Sequence, residues 1–518
     1  MATTTEQSEL HKTIWAIANE LRGAIDGWNF KAYVLGTLFY RFISENITDY
    51  IDSLQHQAGE ADFSYAQLSD DDALAAKDQI VAEKGYFILP SQLFGNVCQR
   101  AKDDDNLNET LSRIFNAIEA SAIGTPSEAD IRGLFSDFVV DSNLLGNSVT
   151  QRNSRLYRVL VAVQNMDLGK KAGHTDNDPF GDAYEYLMNM YASGAGKSGG
   201  EFFTPQEVSS VLARIATVGN PHINKVYDPA CGSGSLLLRF ARIIGKHNPD
   251  LQYFGQEINP TTYNLCRINM FLHDVNFNNF DIRQEDTLLK PLHLDEAGNF
   301  DAIVSNPPYS LSWEGKDNTL LINDPRYAPA GVLAPKSAAD LAFVMHMLYH
   351  LAETGTAAIV EFPGVLYRSG AEMQIRKYLV ENNYIDTVIQ LPANLFFGVG
   401  IATCIIVLRK GNRPDSKVLF IDASKLFKKE GNKNKLEPQH QDAIVEAYTK
   451  REEVAHFTAL KSHEDIAQND YNLSVSSYVE QADNREEIDI AELNARLADI
   501  VANCNQLRQE INEIIPTL

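Results

Sequence analysis

The chain is short of cysteine, of positive charge and of long apolar runs, and each shortage removes a class of function. Its five cysteines, Cys98, Cys231, Cys266, Cys404 and Cys504, are odd in number and widely separated among 518 residues. That spacing makes neither a disulfide framework nor a metal cluster; no metal is expected, and the pattern fits a reducing compartment. The most apolar stretch, LAFVMHMLYHLAETG, contains histidines and stops early, so no membrane span is expected. The N-terminus MATTTEQSELHKTIWAIANELR has no basic segment followed by an apolar core and cleavage site, which predicts no signal peptide and a cytoplasmic location. Lys and Arg number 45 against 69 Asp and Glu, a formal net charge of -24. Such a chain is repelled by a polyanion unless its cations are concentrated or a partner supplies them.

Two nucleotide fingerprints are missing as well. GAGKSGG, inside the glycine-rich hinge 191–205, lacks the G-x-x-x-x-G-K-[ST] order of a phosphate loop. In GSGSLL the third glycine of a dinucleotide loop is replaced by Leu237.

What is present falls into three stretches. Residues 1–170 read as a mainly helical domain: apolar positions recur at helical spacing in ELHKTIWAIANELR, NFKAYVLGTLFYRFISENI, DNLNETLSRIFNAIEASA and SRLYRVLVAVQNMDL, with loops at 57–75 and 140–154. Residues 171–410 read as a second domain that opens with the hinge and, from about 222, alternates strand and helix, with strands expected in NKVYDPA, LQYFGQEI, FDIRQED, FDAIVSN, TAAIVEFP, IDTVIQLP and IATCIIVLR. Seven strands with intervening helices predict an α/β fold, its mostly parallel sheet covered by helices on both faces. The last two strands are expected to pair as an antiparallel hairpin at one edge. Residues 411–518 begin charged and loop-rich and end in a helix, 490–515, whose Ile490, Leu493, Leu497, Ile500, Cys504, Leu507, Ile511 and Ile514 form a seam in steps of three and four. That seam suits either its own chain or a partner helix. Thr204-Pro205 reads as a helix start, threonine capping and proline in the first turn.

Acidic residues stand at three successive strand ends. Asp228 precedes a small-residue turn in which Gly232 and Gly234 allow close backbone approach; Glu257 and Asp286 end the next two strands. An acidic strand end repels a pyrophosphate but suits a ligand carrying an ammonium group, as S-adenosylmethionine does. Glu257 can accept from both ribose hydroxyls, and Asp286 from an adenine amino group. Each carboxylate alone is also an ordinary strand end or helix cap.

The fourth strand leads into Asn306-Pro307-Pro308-Tyr309. Two prolines fix the backbone and remove two donors, leaving carbonyls as acceptors. Asn306 adds a carbonyl oxygen and Tyr309 a flat face, a set that suits a planar ligand bearing an amino group. Acceptors at Asn306 and the Pro307 carbonyl would hold both N–H bonds of a poorly nucleophilic exocyclic amine and aim its electron pair at a methyl group. A base reaches such a pocket only when flipped from its duplex. Tyr309 is expected against one face and Phe397 against the other, with Phe396 as the neighbouring alternative.

On these residues the chain resembles the modification subunits of type I restriction-modification systems. The similar segments are GEFFTPQEV (200–208), DPACGSG (228–234), NPPY (306–309), SAADLAFVMHML (337–348) and NLSVSSYV (472–479). The resemblance implies the S-adenosylmethionine-dependent methyltransferase fold. It adds Glu201, Phe202, Phe203, Thr204, Pro205, Gln206, Ser233 and Ser235 to the cofactor-binding set, beside Gly234. It implies adenine-N6 methylation of double-stranded DNA within a complex, and a specificity subunit shared by two modification subunits. A restriction subunit would join in the cleaving complex, where alone ATP and Mg2+ are implied. Residues 490–515 resemble a docking helix for the specificity partner.

Other readings stay open on the residues alone. Cytosine-N4 methylation poses the same amine chemistry, and protein glutamine methyltransferases also use NPPY. A non-catalytic scaffold would lack Asn306 or the cofactor loop. An NAD-linked oxidoreductase is opposed by Leu237. Cytosine-C5 methylation needs a cysteine beside the base, whereas Cys231 lies in the cofactor loop.

Overall fold

The computed structural model describes residues 27–166, 183, 184, 186, 187, 204–220, 222–245, 248–396, 400–411, 413, 415–431, 433–481 and 490–515. The helix expected in 9–22 and most of the 191–205 hinge lie outside them.

Helices α1 (Gly27–Gln57), α2 (Leu107–Ser121) and α3 (Val149–Gln164) carry the N-terminal part. In α2 the buried positions Leu107, Leu111, Ile114, Phe115 and Ile118 make one helical stripe. Tyr40 of α1 meets Phe94 and Phe115 edge to face, at centroid distances of 5.5 and 5.4 Å. The start of α3 falls inside the stretch 140–154 expected as loop, because the Ser148 hydroxyl accepts the Gln151 N–H and caps it.

The sheet is built from β1 (Lys225–Asp228), β2 (Gln252–Glu257), β3 (Phe280–Gln284), β4 (Phe300–Ser305), β5 (Leu351–Glu361), β6 (Ile385–Gln390), β7 (Cys404–Arg409) and β8 (Val418–Asp422). β9 (Lys428–Glu430) and β10 (Lys433–Lys435) form a separate hairpin, and β11 (Thr458–Lys461) closes one edge of the large sheet. The order is β11-β8-β6-β7-β5-β4-β1-β2-β3. Within this sheet β7 is antiparallel to β5 and β6, and β11 to β8, and the remaining neighbours are parallel.

All seven expected strands are present, yet the sheet has nine, because β8 and β11 extend it past Lys410. The boundary expected at 410 therefore falls inside the sheet. The predicted hairpin is also corrected: β6 and β7 do pair antiparallel, but β7 lies between β5 and β6 rather than at an edge. Its apolar run CIIVL is buried on both faces, as an interior strand requires.

Side chains alternate between two cores. Val226, Ala302, Val304, Ala358 and Val360 enter one; Tyr227, Ile303, Ala357 and Ile359 enter the other. The first core is shared with α1 to α3 and with α4 (Gln206–Thr217), α5 (Ser235–Phe240) and α6 (Pro260–Leu272). The second is covered by α7 (Asp340–His350) and α8 (Ala371–Glu381). Arg267 of α6, buried, donates to the carbonyls of Ala129, Asp130 and Arg132, so the N-terminal part and the sheet domain share one polar clamp as well as one core. Helix α9 (Pro438–Lys450) follows the hairpin.

Glu480–Leu518 form a separate unit. Its helix α10 (Ile490–Ile514) carries Ile490, Leu493, Leu497, Ile500, Leu507 and Ile511 along one seam, all exposed.

Candidate active site

The chain runs outward from β1 through β2 to β3, then returns to place β4 on the other side of β1. Open α/β sheets bind ligands at such a reversal, outside the carboxyl ends of the strands. Here a cavity of about 1080 Å³ opens at that place, lined by Gly232, Glu257, Asp286, Asn306 and Pro308 among others. Five of the residues singled out from the sequence thus share one space.

The loop after β1 is shaped by close packing. Gly232 and Gly234 have φ of 55° and 78°, a region that disfavours side chains. A Cβ on Gly234 would come within 2.8 Å of the Cys266 Sγ. Asn269 donates to the Ser233 carbonyl at 2.8 Å, and Ser235 opens α5. Cys231 is buried; its hydrogen-bonded contact with Cys266, then burial, push its thiol upward, which suits packing and not nucleophilic chemistry.

Glu257 faces the cavity with both oxygens oriented: one accepts the Gly232 N–H at 3.0 Å, the other the Asn259 N–H at 2.9 Å. Burial raises its pKa, while the N–H groups of Asn259, Gly232 and Ile258 pull it back. Asp286 accepts the N–H groups of Leu288 and Leu289 at 2.9 and 3.1 Å. Gln256 ties the same loop down, donating to the carbonyls of Glu285 and Lys290 and accepting from the Leu292 N–H.

Asp228 behaves differently from the carboxylate expected to face a ligand's ammonium group. It is fully buried and absent from the cavity lining. One oxygen accepts the Ala230 N–H and the Ser305 hydroxyl, tying the ends of β1 and β4 together. Burial pushes its carboxyl up to about 7.

At the end of β4 the Asn306 amide is held on both sides. Its nitrogen donates to the Thr204 hydroxyl at 3.0 Å, and its oxygen accepts the Tyr309 hydroxyl at 2.7 Å. Burial, then the nearby Glu361, raise the Tyr309 pKa and keep that hydroxyl a donor. Thr204 therefore holds the residue that ends β4 rather than capping α4. The helix starts at Gln206, with Pro205 as its cap residue, because the Pro205 carbonyl takes the N–H groups of Val208 and Ser209. Gln206 itself lines a second cavity, not the large one.

Phe396 lies edge-on to Tyr309 at 6.4 Å and 85°. It is buried and does not line the cavity. Phe397, Glu201, Phe202 and Phe203 lie outside the described residues.

Several cavity residues escaped the sequence reading. Ile258, 60% exposed, gives an apolar wall directly after Glu257, and Leu288 and Leu289 give another after Asp286. An apolar residue next to an acidic strand end was the available signal. Trp313 and Lys336 come from the segment 311–336, anchored by Arg326. Buried Arg326 donates to the carbonyls of Thr287 and Leu288 at 2.9 and 2.8 Å and pairs with Asp324. Among the described residues no cluster of His, Cys, Asp and Glu suits a metal ion, and no helix is long and apolar enough to cross a membrane.

Residues 175–487 match the family model described as N-6 DNA Methylase, and 10–163 match the HsdM N-terminal domain. The chain is 46% identical to the type I restriction enzyme MpnII methylase subunit of Mycoplasma pneumoniae, over 99% of this chain and 96% of that protein. It is similar to the solved methyltransferase subunit of a type I restriction-modification system from Streptococcus thermophilus, with 37% identity and a TM-score of 0.82, covering 92% of this chain and 100% of that one. A chain from a solved type I assembly, 20% identical with a TM-score of 0.61 over 99% of each chain, shares the fold.

Proposed function

The chain belongs to the N-6 DNA methylase family, as a type I restriction-modification methylase subunit, and from that premise we propose that it methylates the N6 amine of a flipped adenine using S-adenosylmethionine. The observation that carries this reading is the Asn306 amide, fixed between Thr204 and Tyr309 beside the cavity that Glu257 and Asp286 also line.

The cavity residues fit that cofactor. Glu257 presents two oriented carboxylate oxygens for vicinal hydroxyls, and Asp286 stands beside Leu288 and Leu289, an acceptor with apolar neighbours for a purine. No phosphate-binding cation is needed. When bound, the cofactor supplies an electrophilic methyl group on a cationic sulfur.

The chain's own residues then have to hold the amine. One lone pair of the Asn306 oxygen is used by Tyr309 and a second remains for a substrate N–H. Because both neighbours of the amide are fixed, its oxygen needs no reorganisation as positive charge grows on the amine. Pro307 and Pro308 fix the following backbone and offer no N–H, which leaves the Pro307 carbonyl as the acceptor assigned to the second N–H of the amine. Tyr309 is assigned one face of the base and Phe397 the other.

The DNA sequence is read by a separate specificity subunit, with two methylase subunits to one, and α10 is the segment assigned to dock it through its exposed seam. A restriction subunit, with ATP and Mg2+, completes the cleaving complex in the cytoplasm. Deleting 490–518 should weaken assembly, seen by light scattering, and leave cofactor affinity unchanged.

The test is direct. The chain is combined with its specificity subunit, methyl-labelled cofactor and mixed-sequence DNA, and the labelled base and atom are identified. Label on N6 of adenine is expected. Label on cytosine N4, or none on DNA, overturns the assignment.

A further inference from the structure

A chain with a net charge of -24 needs concentrated cations wherever it touches a polyanion. One described segment beside the catalytic loop has them. Five of the eleven residues 425–435 are lysine, against the single acid Glu430. Lys425, Lys428, Lys429 and Lys435 are exposed, and Phe427 among them is 37% exposed.

The segment is held in place. β9 and β10 pair antiparallel, with Lys435 opposite Lys428. Like charges directly across a strand pair repel, so this arrangement costs stability in the absence of an anion. Exposed pairs of Lys428 with Glu437 and Lys435 with Glu430, at 2.8 and 3.5 Å, offset part of it. Leu436 is buried, and Glu437 caps α9, which fixes the hairpin's exit.

Its position follows from topology. β8 runs parallel to β6, so the segments after both strands leave the sheet at one end, the end that carries Asn306. Asn434 joins the two segments: its N–H donates to the Asn394 carbonyl at 3.0 Å and its side chain to the Ala393 carbonyl at 2.8 Å. Two residues on is Phe396, edge-on to Tyr309. The lysines are thus tied to the loop bordering the catalytic turn.

We propose that the β9–β10 hairpin grips the DNA sugar-phosphate backbone beside the flipped base, Lys425, Lys428, Lys429 and Lys435 meeting phosphates and Phe427 the sugar edge. The proposal rests on the reading of DNA as substrate. Lysines are mobile point charges without the planar fork that reads bases, so the grip is independent of sequence. That suits a subunit whose target is chosen by another chain.

The test compares the assembled complex, parent against K425A/K429A/K435A, which leaves the Lys428–Glu437 pair at the α9 cap. DNA affinity is measured on plasmid DNA across a salt series, beside cofactor affinity, assembly and adenine methylation. At about 0.15 M salt the affinity should fall on the order of tenfold to hundredfold, and the log–log salt slope should flatten by about 0.9 for each phosphate no longer neutralised. Cofactor affinity and assembly should match the parent, and K425R/K429R/K435R should bind as the parent does. Equal affinity and slope in the alanine variant overturns the hairpin's role. Loss of assembly with unchanged DNA affinity per assembled complex also overturns it, in favour of a protein partner. A parent complex that fails to methylate DNA would instead sink the substrate reading.

Discussion

The carboxylate of Asp340 accepts the N–H of Ser310 at 2.9 Å, so the first residue of α7 holds the backbone directly after Tyr309. Ser310 has a φ of 51°, in the left-handed region. One residue further back on that side, the Ala339 N–H donates to the Leu311 carbonyl at 2.9 Å. The turn that ends NPPY is therefore strained at one residue and clamped at two. Holding a residue with a side chain in that region costs roughly 1 kcal/mol or more.

Asp340→Ala should lower the single-turnover rate of methyl transfer by tenfold or more while cofactor affinity stays within a few-fold. Asp340→Asn keeps an acceptor oxygen and should retain most of the rate. Adding Ser310→Gly to Asp340→Ala should restore part of it, because glycine adopts this φ without the Cβ penalty. A double variant no faster than Asp340→Ala would show that the clamp does not act through Ser310.

Asn306→Ala removes the amide itself and should lower transfer by about 100-fold to 1000-fold, the usual range for losing one oriented electrostatic group at a reacting centre. Tyr309→Phe is subtler. It keeps the ring and loses only the 2.7 Å bond to the Asn306 oxygen, so the rate should fall by about tenfold. Cofactor titration should give near-parental affinity for both, since Glu257 and Asp286 are untouched.

How much of this could be read from the sequence divides along a physical line. Strands β1 to β7 were legible because apolar periodicity is local, and Glu257, Asp286 and Asn306 were legible because each ends such a run. β8 and β11 were not: VLFID and TALK are short and sit among lysines and acids, and their pairing spans nearly forty residues. Ser310 with Asp340 and Arg326 with Thr287 are pairings across 30 and 39 residues, which no local pattern encodes. Asp228 looked like its two neighbours in sequence. Only the third dimension put it beneath the loop, bonded to Ser305 of a strand 77 residues away.

That burial gives Asp228 a pH signature. Its carboxyl is raised from 3.8 to about 7 in the native state, chiefly by desolvation. The unfolded carboxyl loses its proton near 3.8 while the native one keeps it, so its contribution to stability is fully present below about pH 4 and declines as pH rises to about 7. Asp228→Asn does not titrate and keeps an acceptor for Ala230 and Ser305. Urea unfolding midpoints at pH 5 and 7.5 should therefore differ less in the variant than in the parent, by an amount on the order of a few kcal/mol in stability. Equal differences in the two proteins would place the native carboxyl near its ordinary value.

Arg326 makes a last, separable test, because it touches the Asp286 end of the cavity through other residues. Its guanidinium spans the carbonyls of Thr287 and Leu288 and meets Asp324 and His346, all with almost no exposure of its own. Thr287 and Leu288 directly follow Asp286 and line the cavity, so the arginine fixes the loop from which that carboxylate projects. Arg326→Lys keeps the charge but cannot reach both carbonyls with a planar fork, which leaves at least one buried acceptor unpaired at a cost of about 1–3 kcal/mol. If the loop carries that loss, cofactor affinity should drop by about tenfold, with a smaller effect on the rate at saturating cofactor. Asp286→Ala should weaken the cofactor comparably, and the double variant should be little worse than either single one, since both changes would act through one loop. Fully additive losses would mean that Arg326 supports the fold at large and not the position of Asp286.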